Sequence, residues 1–271
     1  MQFFKLLQGT GLIKDSNIIG ISGASGGIGS TAQYSQNILK IDSRLEDPPE
    51  KIAQEFRNKS IVSYIHLAAA TDNNWCDLHP EECFLVNAEY AKKFYEAASM
   101  SKVRRFIFVS SSHVYDCSIN SPLDIYSPTI PKSIYGQSKL LAEQKLIALK
   151  NSNTKLSIAR VFSVIGKNAR DHFLYQGLHK RAKDRNFSDI PGLDNIRDFL
   201  EADEVMSELI RLANSKDYPP LLNICSGQGQ SIRKIAKEVF AFYGLEKKIE
   251  KMKSNSNHPP NKIIGVPTKF I

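Results

Sequence analysis

The apolar run at residues 18–22 (IIGIS) leads directly into GASGGIG at 23–29, and this pairing narrows the possible folds more than any other feature. A strand that ends in a glycine-rich turn and continues into a helix is the opening unit of a parallel sheet. The glycines allow positive φ, bring backbone N–H groups close to a pyrophosphate, and let the helix start against the sheet with its N-terminus facing the anion. Gly23, Ser25, Gly26, Gly27, Ile28 and Gly29 are therefore the expected dinucleotide-binding residues. The spacing fits both G-x-x-G-x-x-G and G-x-x-x-G-x-G, so it does not choose between subfamilies, and the turn alone is also compatible with a ligand-free loop.

The rest of the chain repeats the unit. Short apolar runs at 17–22, 38–41, 61–68, 105–110, 156–161 and 221–224 predict strands, and the stretches 49–58, 88–101 and 135–150 predict helices between them. The expected fold class is α/β, a Rossmann-like doubly wound parallel sheet with a small, shortened C-terminal substrate lobe. We expect residues 1–165 to form the NAD(P)-binding domain and 166–271 a mixed substrate lobe, with 195–240 returning to the main domain. Asp42 ends the second run only 13 residues after Gly29, which suggests that one βα element is trimmed. Asp42 then suits the adenosine ribose from the second strand, or lies on what would be the third. Arg44 suits a 2′-phosphate, which keeps NADP open beside NAD.

A net charge of +8 favours an anionic partner. Basic residues are dispersed apart from the run at 179–185, which argues against nucleic acid. No apolar run approaches the length of a membrane span, and the N-terminal stretch is too broken for a secretory signal, so a cytoplasmic location is expected. The four cysteines have no metal-ligand spacing and are expected to be reduced, with no metal site.

Chemistry enters at Tyr135 and Lys139. At i and i+4 on a helix they share a face and can reach one centre. A phenol is a poor base at neutral pH, and bringing its pKa down by about 3 takes roughly 4 kcal/mol of phenolate stabilisation, for which a neighbouring cation is suited. Upstream, the run at 105–110 ends in Ser110, Ser111 and Ser112, where a doubly wound sheet places ligands; a hydroxyl held there would polarise a carbonyl or alcohol oxygen.

In chain order, GASGGIG, HLAAA (66–70), SSSHVY (110–115), YGQSK (135–139), RVFSVIG (160–166) and RDFLEAD (197–203) resemble the extended short-chain dehydrogenase/reductases of the nucleotide-sugar epimerase/dehydratase family, over roughly residues 17–240. The resemblance implies that Tyr135 transfers the proton, that Lys139 holds the nicotinamide ribose and lowers the tyrosine pKa, and that Ser111 is the third catalytic residue. It implies that Leu67, Ala68 and Ala69 line the cofactor channel and that Asn87 braces the site. Ser112, His113, Ser163, His172 and Arg197 fall on the substrate side, Arg197 against nucleotide phosphates. Ser112 and His113 stand where dehydratases carry Asp-Glu, which disfavours dehydration. The expected activity is nucleotide-sugar 4-epimerisation through a bound nicotinamide cofactor. The alternatives are a 4-keto-sugar-nucleotide reductase and a non-catalytic dinucleotide sensor. A homodimer formed through 88–101 and 135–150, and a role in polysaccharide biosynthesis, are further implications of the resemblance. Against the family the chain is expected to lack the tail of the substrate lobe.

Overall fold

In the computed structural model, which describes residues 18–22, 37–119, 122–149, 153–166, 174–254 and 260–270, all six apolar runs become strands of one sheet. These are β1 (Ile19–Ser22), β2 (Ile38–Lys40), β3 (Ser63–His66), β4 (Arg105–Ser111), β5 (Lys155–Val161) and, after an excursion, β8 (Leu221–Ile224). They are parallel throughout, in the order β2-β1-β3-β4-β5-β8. The run expected at 61–68 pairs only over its middle, because beyond His66 the chain leaves the sheet as a loop. The glycine turn and His172 lie outside the described residues.

Each strand is apolar on both faces because both are covered. Alternate residues feed opposite layers. Ile107, Val109, Ala159 and Val161 pack with Val205, Met206, Leu209 and Leu212 of α7 (Ala202–Asn214). Phe106, Phe108, Leu156 and Ile158 pack on the other side, where α1 (Pro49–Asn58), α4 (Tyr90–Ser99) and α5 (Ile134–Ala148) contribute Ile52, Phe56, Phe94, Ala142 and Leu146. Between β3 and α4 the chain forms α2 (Asn73–Leu78), α3 (Pro80–Phe84) and a π-helical turn, Leu85–Glu89, so the helix expected from residue 88 begins earlier and in a wider form.

The strand order decides which strand Asp42 follows. β2 pairs directly with β1, Ile19 opposite Ile38, and no described strand lies beyond it. Asp42 therefore follows the outer described strand of this sheet.

A second sheet starts one residue after β5. It contains β6 (Ser163–Ile165), β7 (Ile196–Glu201), β9 (Gly229–Ser231) and β10 (Lys262–Ile263), with β9 antiparallel to β7. A separate apolar cluster, including Leu178, Leu193, Phe240 and Ile249, joins α6 (Leu174–Lys183), α8 (Ile232–Ala241) and α9 (Glu246–Lys251) to this sheet. Asp198 on β7 is fully buried and accepts four hydrogen bonds, from Ser226 N and Oγ, Gly227 N and Gly265 N, at 2.6–3.2 Å. It ties the end of β8 and the last segment of the chain to the second sheet. That segment then runs back to the main domain, where Arg211 stacks on the Phe270 ring at 3.7 Å.

Candidate active site

Tyr135 stands in the first turn of α5, which begins where Ser133 Oγ accepts the amide of Gly136 at 3.1 Å. This turn sits directly on the short 3₁₀ segment Ser112–Val114 that follows β4. A Cβ on Gly136 would come within 2.4 Å of the His113 carbonyl oxygen, so only glycine permits the approach. The close contact brings Ser111 to Tyr135, where burial raises the phenol and the serine hydroxyl, by hydrogen bonding, opposes part of that rise. The His113 ring lies edge-on to the Tyr135 ring, 5.5 Å between centroids. His113 is held below the usual histidine range by burial and by the Arg197 charge.

Lys139 follows one turn later, 2% exposed, its Nζ 4.3 Å over the Phe108 ring. Burial outweighs the nearby Glu143 charge and brings its pKa down to about 7. Tyr135 moves the other way, to about 12, because burial disfavours the phenolate. The Lys139 ammonium makes no hydrogen bond to a described residue, and a desolvated donor of this kind is suited to ribose hydroxyls. That donor, at the strand end where an open α/β sheet binds ligands, fits a nicotinamide ribose.

The loop after β3 is clamped to the same helix. Asn87 Oδ1 accepts the amide of Ala70 at 2.7 Å, and its Nδ2 donates to Ala70 O at 3.0 Å and to Ser138 Oγ at 2.9 Å. Ala70 is thereby tied to α5 just past Leu67, Ala68 and Ala69, of which Ala68 is buried and Leu67 packs on the α7 side of the sheet.

The NAD dependent epimerase/dehydratase family matches residues 19–225, from the first strand of the main sheet to just past its last. The chain belongs to that family. Over 139 residues it is 30% identical to the GDP-6-deoxy-D-mannose reductase of Pseudomonas aeruginosa, covering 48% of this chain and 46% of the relative. Over 227 residues it is 23% identical to a putative UDP-arabinose 4-epimerase of Arabidopsis thaliana, covering 74% and 52%. The chain thus spans about half the length of the curated relatives it matches. Among solved structures, the Bacillus anthracis dTDP-4-dehydrorhamnose reductase in complex with NADP aligns with a TM-score of 0.77 at 19% identity, covering 93% of this chain and 91% of that one. The Thermotoga maritima UDP-glucose 4-epimerase with UDP-glucose aligns with a TM-score of 0.76 at 20% identity, covering 92% and 90%. Epimerases and reductases share this frame, so membership of the epimerase/dehydratase family does not choose between them.

Other expected site residues are more dispersed. Asp42 is exposed past β2 and ion-paired to Lys59 at 2.8 Å, while Arg44 lies on the adjoining exposed loop. No sequence motif points to Glu55, whose carboxylate accepts the amides of Asp42 and Ser43 at 2.8 Å and so shapes this corner of the family fold. Ser163 opens β6, one residue beyond the main sheet. Arg197 is half-buried and donates to Asn261 Oδ1 at 2.7 Å and to the Ile196 carbonyl at 2.8 Å, which fixes its direction. Among the described residues no cluster suits a metal ion, no helix is long and apolar enough to cross a membrane, and the four cysteines are free.

Proposed function

We propose that this chain acts on a nucleotide sugar as an alcohol–carbonyl catalyst of the 4-epimerase type. The observation that supports it is the convergence of Ser111, Tyr135 and the acceptor-poor Lys139 at the end of β4. When bound, the nicotinamide ring would accept a hydride from the sugar carbon and return it. Tyr135 takes the proton from the sugar hydroxyl and gives it back. Ser111 holds the oxygen that moves between alcohol and carbonyl, and Lys139 donates to the ribose hydroxyls. A phenol at about 12 needs added positive charge before it can serve as a base near neutral pH, so proton transfer is expected only in the loaded site. Arg197, fixed beside His113, supplies a cation for the substrate's phosphates.

The second reading is a 4-keto-sugar-nucleotide reductase, favoured by the 30% identity to the Pseudomonas aeruginosa reductase. It uses the same three side chains in one direction. The purified protein is denatured and any released dinucleotide measured, then sugar nucleotides are offered with and without NADPH. Retained NAD with interconversion of C4 epimers supports the epimerase; stoichiometric NADPH consumption replaces it with the reductase. Dinucleotide binding with no turnover on any sugar nucleotide leaves the sensor, and turnover unchanged in Tyr135→Phe removes the catalytic assignment of Tyr135.

A further inference from the structure

Glu143 lies four residues beyond Lys139 on α5, so the two side chains share the helix face that begins at Tyr135. It is 2% exposed. Three donors converge on its carboxylate: Ser110 Oγ at 2.5 Å, Arg160 Nε at 3.1 Å and Arg160 Nη2 at 2.6 Å. Ser110 immediately precedes Ser111, so one carboxylate is fastened both to the strand end that carries the serine and to the helix that carries the lysine. Arg160 extends the network, lying 4.7 Å over the Tyr115 ring, whose hydroxyl donates to Asn223 Oδ1 at 2.6 Å.

An ion pair placed only for stability gains from complete hydrogen bonding. This one is incomplete, since Nη1 of Arg160 is buried with no hydrogen-bond partner among the described residues. The positions instead set a negative charge one turn from a buried ammonium.

We propose that Glu143 is a positioning residue for the catalytic pair, supplying the countercharge that keeps Lys139 an ammonium and, through Ser110, fixing Ser111 against α5. The proposal rests on the reading of Lys139 as the ribose ligand. The groups facing Lys139 among the described residues are Tyr135 and Glu143 on α5, Cys83 on α3 and His66 on β3, with Arg160 behind Glu143. His66 is buried among Tyr64, Phe94, Phe106 and Phe108 and is pushed down to about 3, so it adds no competing positive charge at neutral pH. Glu143 is thus the carboxylate that counters the burial of Lys139.

The test is a titration of the Lys139 side chain in the unliganded protein, followed by NMR of the ¹³C-labelled lysine ε-carbon and assigned with Lys139→Met. In wild type the midpoint is expected near pH 7. In Glu143→Gln it should fall by about one pH unit, since an opposite charge nearby favours the charged form. Arg160 left unpaired could unfold that variant, so the double variant Glu143→Met with Arg160→Met is made in parallel. Apolar replacement of a whole buried pair is commonly tolerated, and here too the midpoint should fall. Ser110→Ala, which removes no charge, should leave it in place. A wild-type midpoint in either folded variant at position 143 overturns the proposal. NADH binding, followed by its fluorescence, is measured separately. If NADH and NADPH both fail to bind wild type, the functional reading falls while the lysine titration still decides the part played by Glu143.

Discussion

Asp198 and Lys139 are both buried charged side chains, one within a strand and one within a helix, yet their surroundings are opposite. Asp198, in the second sheet, has four donors around its carboxylate and joins three segments of chain. Lys139, beside the main sheet, has an aromatic ring beneath it and no described acceptor. A buried charge that is fully bonded is part of the scaffold, whereas one left without partners costs stability until something binds. The difference separates the part of the molecule that holds shape from the part that waits for a ligand.

The sharpest way to break this comparison is to remove both charges in turn. Lys139→Met is expected to lower kcat/KM on an accepted sugar nucleotide by about 10²-fold or more, while the unliganded protein becomes more stable at pH 6–7 in thermal unfolding. A variant that loses activity and stability together would place Lys139 with the scaffold. Asp198→Asn should do the reverse. It is expected to cost about 2–4 kcal/mol in denaturant unfolding, because backbone amides and a hydroxyl lose a charged acceptor, and to leave kcat of the folded fraction nearly unchanged.

The smallest effect is one of pH. Lys139 sits near 7 in the folded chain against 10.5 unfolded. Between those values the unfolded chain carries a proton that the folded chain lacks, so this residue makes stability rise with pH above 7 and contributes no slope below it. Relative to Lys139→Met, wild type should gain about 1 kcal/mol per pH unit between pH 7.5 and 9 in unliganded protein. A constant difference across that range would remove the assignment of a lysine whose burial outweighs its countercharge.

The contrast also explains what can be read from the chain alone. Strands covered on both faces show as apolar runs, so the six of the main sheet are legible in the sequence, and the i, i+4 spacing of Tyr135 and Lys139 is enough to put them on one helix face. β6, β9 and β10 span three, three and two residues, too short for a period to show. The polar network is hidden for another reason. Glu143 meets Ser110 and Arg160 across sequence separations of 33 and 17, and Asp198 meets donors 28, 29 and 67 residues away. Local patterns carry no record of such meetings. Two faint signals of the network are nonetheless in the chain: Arg160 is a lone charge inside the apolar end of β5, and Glu143 continues the spacing that begins at Tyr135.

The glycine at 136 bears on how a protein like this can change. Because α5 stops against the backbone of residue 113, the spacing between serine and tyrosine is set by a mechanical limit that no side-chain repacking nearby can move. Substitutions on the substrate side, at Ser163 or around Arg197, can then vary what is accepted while the reacting distance stays fixed. A bulkier residue at 136 would spoil that distance for every substrate at once.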